Sequence, residues 1–156
     1  PKGDTGAKGP AGPAGPAGPA GPARPKGDRG PSDAYEATVE TYPNLPPSQW
    51  TTIRSMTLAP GKYVVTATAS VHNSSWNEKT VDADCYLVHG DAFIASGMNR
   101  GLAPNQARST AMSDAIDLPN GGTIKMECIH LGDGNQVWVS GGKMIAIRVA
   151  EMTAVG

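Results

Sequence analysis

Ala59-Pro60-Gly61-Lys62-Tyr63-Val64-Val65-Thr66-Ala67-Thr68-Ala69-Ser70-Val71 is a turn that opens into a strand. Pro and Gly set the turn. After it, Tyr63, Val65, Ala67, Ala69 and Val71 alternate with Val64, Thr66, Thr68 and Ser70. A period of two puts the first set on one face of a pleated strand, and that set is the more apolar. The stretch therefore predicts a half-buried β-strand in a sheet with a core on one side.

The same pattern recurs on both sides. Thr80–Val88 alternates, with Val81, Ala83, Cys85 and Leu87 on one face and Asp82, Asp84 and Tyr86 on the other. Leu118-Pro119-Asn120-Gly121-Gly122 is a turn feeding Thr123–Leu131, where Ile124, Met126 and Cys128 share a face. Gln136–Ser140 and Lys143–Val149 read as a hairpin about Gly141-Gly142. Shorter candidates are Tyr35–Thr41, Thr51–Leu58, Phe93–Ser96 and Thr110–Ile116. No window has a helical period. Eight or nine short strands over residues 34–156 predict an all-β sandwich head, jelly-roll-like.

Upstream, the pattern stops. Residues 1–33 hold nine of the 20 Gly and eight of the 14 Pro, and Ala and Pro are the only apolar side chains there. Such a segment cannot bury a core. Gly3, Gly6, Gly9, Gly12, Gly15, Gly18, Gly21, Gly27 and Gly30 keep one phase, with Pro-Ala-Gly unvaried from Pro10 to Gly21. Glycine at every third residue with Pro between is the signature of a collagen triple helix, because only hydrogen fits where three polyproline-II chains meet. At about 3.1 Å per residue the stalk would reach on the order of 100 Å. The expected molecule is thus a homotrimer, with a collagen-like stalk over residues 1–33 and a trimeric head over 34–156. Lys2-Gly3-Asp4 and Lys26-Gly27-Asp28 set opposite charges where staggered chains meet. The phase breaks once, where Arg24 replaces a glycine: either a hinge or a tolerated interruption.

Net charge is −1, with no basic footprint for nucleic acid. No apolar run approaches 18 residues, so neither a membrane-spanning helix nor a signal peptide is expected. The chain starts at Pro1 and not at Met, and a longer polypeptide with an upstream region is expected.

Collagen-like repeats leading into a β-sandwich resemble the collagen-plus-head proteins, whose heads are similar to those of complement first component and tumour necrosis factor. Pro60-Gly61-Lys62-Tyr63-Val64-Val65 carries the resemblance, supported by the Leu118–Cys128 turn and strand and the closing strand Lys143–Val149. The head departs from the animal members in its single Phe93 and few Tyr. An Ala/Val/Met-rich head on a Pro-Ala-Gly shaft is more similar to bacterial and bacteriophage collagen-like proteins, including phage tail fibres and minor tail proteins. That resemblance implies a location in a virion tail or on a bacterial surface, joined to other tail or surface proteins through the upstream region. It implies a head that registers three shaft chains and binds a host surface glycan or protein. The alternative is a head that only trimerises.

No catalytic motif occurs, and neither an enzyme, a cofactor nor a metal is expected. His72, His89 and His130 fall at strand ends and are expected to be solvated. Asp82 and Asp84 sit two apart, suiting a metal or acid–base pair, but the expected reading is a solvated strand face. Asp133-Gly134-Asn135 resembles a fragment of a calcium loop and is read as a turn. Cys85 and Cys128 lie on core faces. They are bonded in an oxidising compartment and free thiols in a bacterial cytosol, and the second is expected here. Trp76, in the polar loop with Asn73 and Asn77, suits a sugar or protein partner, or else covers the trimer interface or the sandwich end. Gly97–Ser109, with Asn99, Arg100 and Asn105, is the longest non-periodic stretch, serving recognition or plain connection.

Overall fold

The structure is a computed structural model and describes residues 1–12, 14–15, 33–38, 42–75, 79–132 and 136–153. Residues 1–12 and 14–15 carry no secondary structure and are exposed throughout. Gly18, Gly21, Arg24, Gly27, Gly30, Trp76, Asn77 and Asp133-Gly134-Asn135 lie outside the described residues.

Eight strands follow: β1 (Ala34–Thr38), β2 (Thr51–Leu58), β3 (Gly61–Asn73), β4 (Val81–His89), β5 (Ala92–Leu102), β6 (Gln106–Leu118), β7 (Gly122–Leu131) and β8 (Val137–Val149). They form two antiparallel sheets ordered β1-β8-β3-β6 and β2-β7-β4-β5. Among the described residues there is no helix. The sheets stack as a sandwich, and the chain crosses between them so that sequence neighbours such as β2 and β3 sit in different sheets. This is a jelly-roll order. β3 lies inside its sheet between β6 and β8, and Tyr63, Val65, Ala67, Ala69 and Val71 are all buried. From the other sheet Val81, Ala83, Cys85, Leu87, Ile124, Met126 and Cys128 meet them, so the inward faces read from the sequence are the core. The Tyr63 hydroxyl donates to the Ala59 carbonyl at 2.9 Å, pinning the turn that starts the strand.

Two segments differ from expectation, each because of one glycine. Gly141-Gly142 does not turn a hairpin; β8 runs straight through it. Thr68 pairs with Lys143 and Ser70 with Ser140, so two residues of β8 oppose one of β3. Gly141, at φ +61°, supplies the left-handed residue of this bulge. The Gly97–Ser109 stretch is likewise mostly strand. β5 continues to Leu102, β6 starts at Gln106, and only residues 103–105 turn between them. A second bulge lies here: Arg100 and Gly101 oppose Asp82, with Gly101 at φ +59°. The inward positions of this part of β5 are Gly97 and Asn99, which give no apolar signal although both are buried.

The cysteines are bonded to each other, not free. Cys85 and Cys128 are direct cross-strand partners on β4 and β7 with Cα atoms 4.1 Å apart, so register alone brings the two buried sulfurs together. His130 is also a correction. Its position on β7 pairs with Ala83 and faces inward, so it is fully buried instead of solvated.

Candidate functional site

Of the six head residues expected to recognise a ligand, four are described, and they gather at one end of the sandwich. Asn73 is fully buried. Its Nδ2 donates to the carbonyls of Lys79 (3.1 Å) and Leu102 (2.9 Å), and its Oδ1 accepts from the Ser75 amide. It therefore ties the β3–β4 connection to the end of β5, and its side chain is not at the surface. Asn99 is buried as well, 4% exposed, with Nδ2 unpartnered. Asn105 is exposed, at φ +58° in the β5–β6 turn, and its amide donates to the Asn73 carbonyl at 2.7 Å.

Arg100 is the fourth, and it explains the two aspartates. Its guanidinium pairs with Asp84 at 3.0 Å and Asp82 at 3.4 Å. Asp82 Oδ1 also accepts from the Gly101 amide at 2.7 Å, closing the bulge. Asp84 is not solvated: it is 5% exposed, and Oδ1 has no partner. Burial raises its pKa against the lowering effect of Arg100, and Asp82 adds to the rise. One guanidinium across two carboxylates is a clamp between β4 and β5. Among the described residues no cluster of His, Cys, Asp and Glu suits a metal.

Beside this clamp, on the outer face of β2-β7-β4-β5, lies a group that the sequence did not reveal. Trp50, just before β2, Tyr86 of β4 and Phe93 of β5 form a three-ring cluster. Ring centroids are 5.3 Å apart for Trp50–Tyr86, 5.7 Å for Trp50–Phe93 and 4.7 Å for Tyr86–Phe93. Yet Trp50 stays 49% and Phe93 60% exposed, unusual for large rings in mutual contact. A row of cross-strand partners, Thr52, Glu127, Tyr86 and Ser96, runs past them. Glu127 accepts from the Thr52 hydroxyl at 3.0 Å and faces the Lys125 ammonium at 3.6 Å. Met98 and Leu131, also exposed, extend the face. The signal that points to it is Tyr86 on the polar side of an alternating strand.

The outer face of β1-β8-β3-β6 is different. β6 presents Ala107, Ser109, Ala111, Ser113 and Ala115, and β3 presents Val64, Thr66, Thr68 and Ser70 beside them. Thr66 and Ser113 hydroxyls are 3.0 Å apart and those of Ser70 and Ser109 2.6 Å, so the hydroxyls satisfy one another. Val64 and Ile147 are exposed partners on β3 and β8. Lys62 and Asp117 stand at one end of β3 and β6, and the Lys143–Glu36 pair at 3.1 Å lies mid-face, with Lys143 the cross-strand partner of Thr68. From Val64 to Ser70 and from Ala107 to Ala115 the outward positions of β3 and β6 carry no charge. At one end His72 stacks on Trp138, with centroids 3.8 Å apart and planes 5° from parallel, and its Nε2 lies 2.6 Å from the Ser140 hydroxyl. Tyr42 packs edge-on against the same Trp138. Burial lowers the pKa of His72. Burial lowers that of His130 too; the Leu45 backbone opposes the shift without reaching hydrogen-bond geometry to either ring nitrogen. His89 is half-buried, with Nδ1 3.2 Å from the Thr123 carbonyl oxygen.

No family model matches the chain, and no curated protein matches it. Among solved structures it is similar to infectious bursal disease virus proteins. The VP2 subviral particle matches over 75% of this chain at 16% identity and a TM-score of 0.50. The T=1 particles derived from that virus match over 76% at 17% identity and a TM-score of 0.52. The Gx strain structure matches over 75% at 15% identity and a TM-score of 0.52. The chain spans about a third of the length of these proteins, 33%, 32% and 32% respectively. At such identities the likeness is one of fold: a β-sandwich of the kind found in viral capsid proteins.

Proposed function

We propose that the chain is a homotrimeric fibre protein whose collagen-like stalk carries a β-sandwich head that attaches to a host cell surface, as part of a virion tail. The observation that carries this reading is the glycine phase. A Cβ added at Gly3, Gly6, Gly9, Gly12 or Gly15 would meet nothing within 4 Å in a single chain. Nothing within one chain asks for glycine there; a shared axis with two further chains does. The uncharged β6–β3 part of this face is the surface of the head best suited to meet its copies, because small side chains and mutually satisfied hydroxyls allow flat, close approach, while the neighbouring Lys143 keeps Glu36 as its partner. A likeness to capsid sandwiches supports a virion setting by analogy only. Three heads on one shaft would strengthen weak single-site binding through avidity. The role needs no catalysis, cofactor, nucleic acid or membrane insertion.

Sedimentation of the full chain at micromolar concentration, with circular dichroism of the stalk, tests the assembly. A trimer with a triple-helix melting transition is expected, and a monomer would refute the reading. Labelled trimer is then applied to bacterial cells. Saturable binding is expected, whereas a well-formed trimer that binds no cell favours the second reading, in which the head only trimerises and registers the shaft. The β6–β3 face supports that second reading equally, since it would serve assembly in both.

A further inference from the structure

We infer that the Trp50–Tyr86–Phe93 cluster is a binding site for neutral pyranose sugars; this deepens the attachment reading and rests on it. The argument starts from what the rings do not do. Core aromatics hide their faces, yet Trp50 and Phe93 keep about half their surface in water while touching each other and Tyr86. Indole and phenyl faces held open in this way suit a ligand that is apolar on one side and polar along its rim. A pyranose is that ligand, with axial C–H groups on its face and hydroxyls around its edge. The rim has its partners in the adjacent row, where Thr52, Glu127 and Ser96 offer hydroxyl and carboxylate oxygens. Lys125 stands beside Glu127 at 3.6 Å, so their charges cancel and the site favours a neutral sugar over an anionic one.

A second copy of this chain fits the face poorly. The repeat enters the head through Asp33 and β1, whose sheet is the opposite one, and the Asp33 carbonyl accepts from the Arg148 amide of β8 at 2.9 Å. Chains that meet through the outer face of β1-β8-β3-β6 leave the outer face of β2-β7-β4-β5 free.

The test uses the full chain and a panel of neutral oligosaccharides of glucose, galactose, mannose and N-acetylglucosamine, read by calorimetry. Binding of at least one sugar is expected, weakened about tenfold or more by Trp50→Ala and by Phe93→Ser, and unchanged by Trp138→Phe on the other sheet. Phe93→Ser guards against misfolding, because that side chain is mostly exposed, and unchanged melting temperatures check both variants. No binding across the panel, or binding that both variants retain, overturns the site. Cell binding separates this failure from that of the attachment reading. If the trimer binds bacteria and W50A binds them equally well, attachment stands and the sugar site falls. If W50A abolishes cell binding but periodate treatment of the cells does not, the occupant is a protein and the sugar assignment is overturned. Loss of binding on periodate oxidation of the cell-surface diols supports it.

Discussion

The two outer faces of the sandwich are built from the same alternation and have opposite characters. On β1-β8-β3-β6 the outward residues along the middle of β3 and β6 are Ala, Ser, Thr and Val, whose hydroxyls pair with each other, and the Lys143–Glu36 pair stands beside them. On β2-β7-β4-β5 they are aromatic rings and charged groups in cross-strand pairs. A flat face of small residues suits a surface of identical shape, as in assembly. A rough face with open rings beside hydroxyl and carboxylate groups suits a ligand of different chemistry. In the proposed reading the same fold divides into one face for its copies and one for a partner.

The strongest way to break this contrast is to put a charge on the flat face. Ala111→Arg places three guanidinium groups where copies are proposed to meet. A buried charge without a partner destabilises by about 3–5 kcal/mol. Sedimentation is expected to show the trimer dissociating, while Ser96→Arg on the other face leaves it intact. Equal behaviour of the two variants would mean that the faces have been assigned the wrong way round.

The disulfide sharpens the comparison because it lies in one sheet only. Cys85–Cys128 closes a separation of 43 residues, and loop-closure entropy assigns such a link about 4 kcal/mol. Reduction, or the double change to Ser, should lower the denaturant midpoint accordingly. Amide exchange should rise first in β4 and β7, which the bond joins, and less in β3 and β6. A midpoint insensitive to reductant would show that the two strands are held by pairing and packing alone.

The contrast between faces was only half legible in the sequence. The flat face could be read, since Val64, Thr66, Thr68 and Ser70 stand out as the outward half of β3 in any alternation. The ring cluster could not, because Trp50, Tyr86 and Phe93 come from three separate segments and only sheet register joins them. The full length of β5 is hard to read for a related reason. Its inward Gly97 lies against Thr110, where a Cβ would collide with the side chain, so close packing replaced the apolar residue that marks a strand. Gly141-Gly142 misled because a glycine pair serves a hairpin and a bulge equally well, and the choice was made by β3 continuing past it. The disulfide was open to the sequence as an alternative, but the exact cross-strand pairing that decides it is a matter of register. Asn73 and Asn99 suit a ligand by their polarity, but in the fold that polarity satisfies backbone groups or lies inside the sandwich instead of facing solvent.

The bulges give a smaller and more symmetrical test, one in each sheet. Gly141 and Gly101 have φ near +60°, and a Cβ at either would meet nothing within 4 Å. Substitution by Ala therefore meets only the backbone penalty, about 1–2 kcal/mol, at both sites. Urea midpoints should fall by similar amounts. A much larger loss at Gly101 would mean that its bulge also holds the Arg100 clamp and the sugar face in place, and sugar affinity would then fall with stability.

The finest distinction is in pH. His130, inside the β2-β7-β4-β5 sheet, and His72, stacked on the other, both have pKa values lowered by burial. In each case the folded state prefers the neutral ring more than the unfolded chain does. Their contribution to stability is therefore complete above the unfolded pKa, near 6.5, and is lost as pH falls from there towards the folded values. The slope for each group cannot exceed about 1.4 kcal/mol per pH unit. Asp84 works in the opposite sense, since its raised pKa makes its burial less costly as the carboxylate protonates in acid. Melting temperature should decline as pH is lowered below 6.5. His130→Leu should flatten that decline and raise the melting temperature at neutral pH as well, because it removes two buried ring nitrogens that have no partner. His72→Phe should flatten it less, as the ring is only half-buried and keeps its place on Trp138. If His72→Phe flattens the curve more than His130→Leu does, the acid-sensitive part of the head is the β1-β8-β3-β6 face and not the core between the sheets.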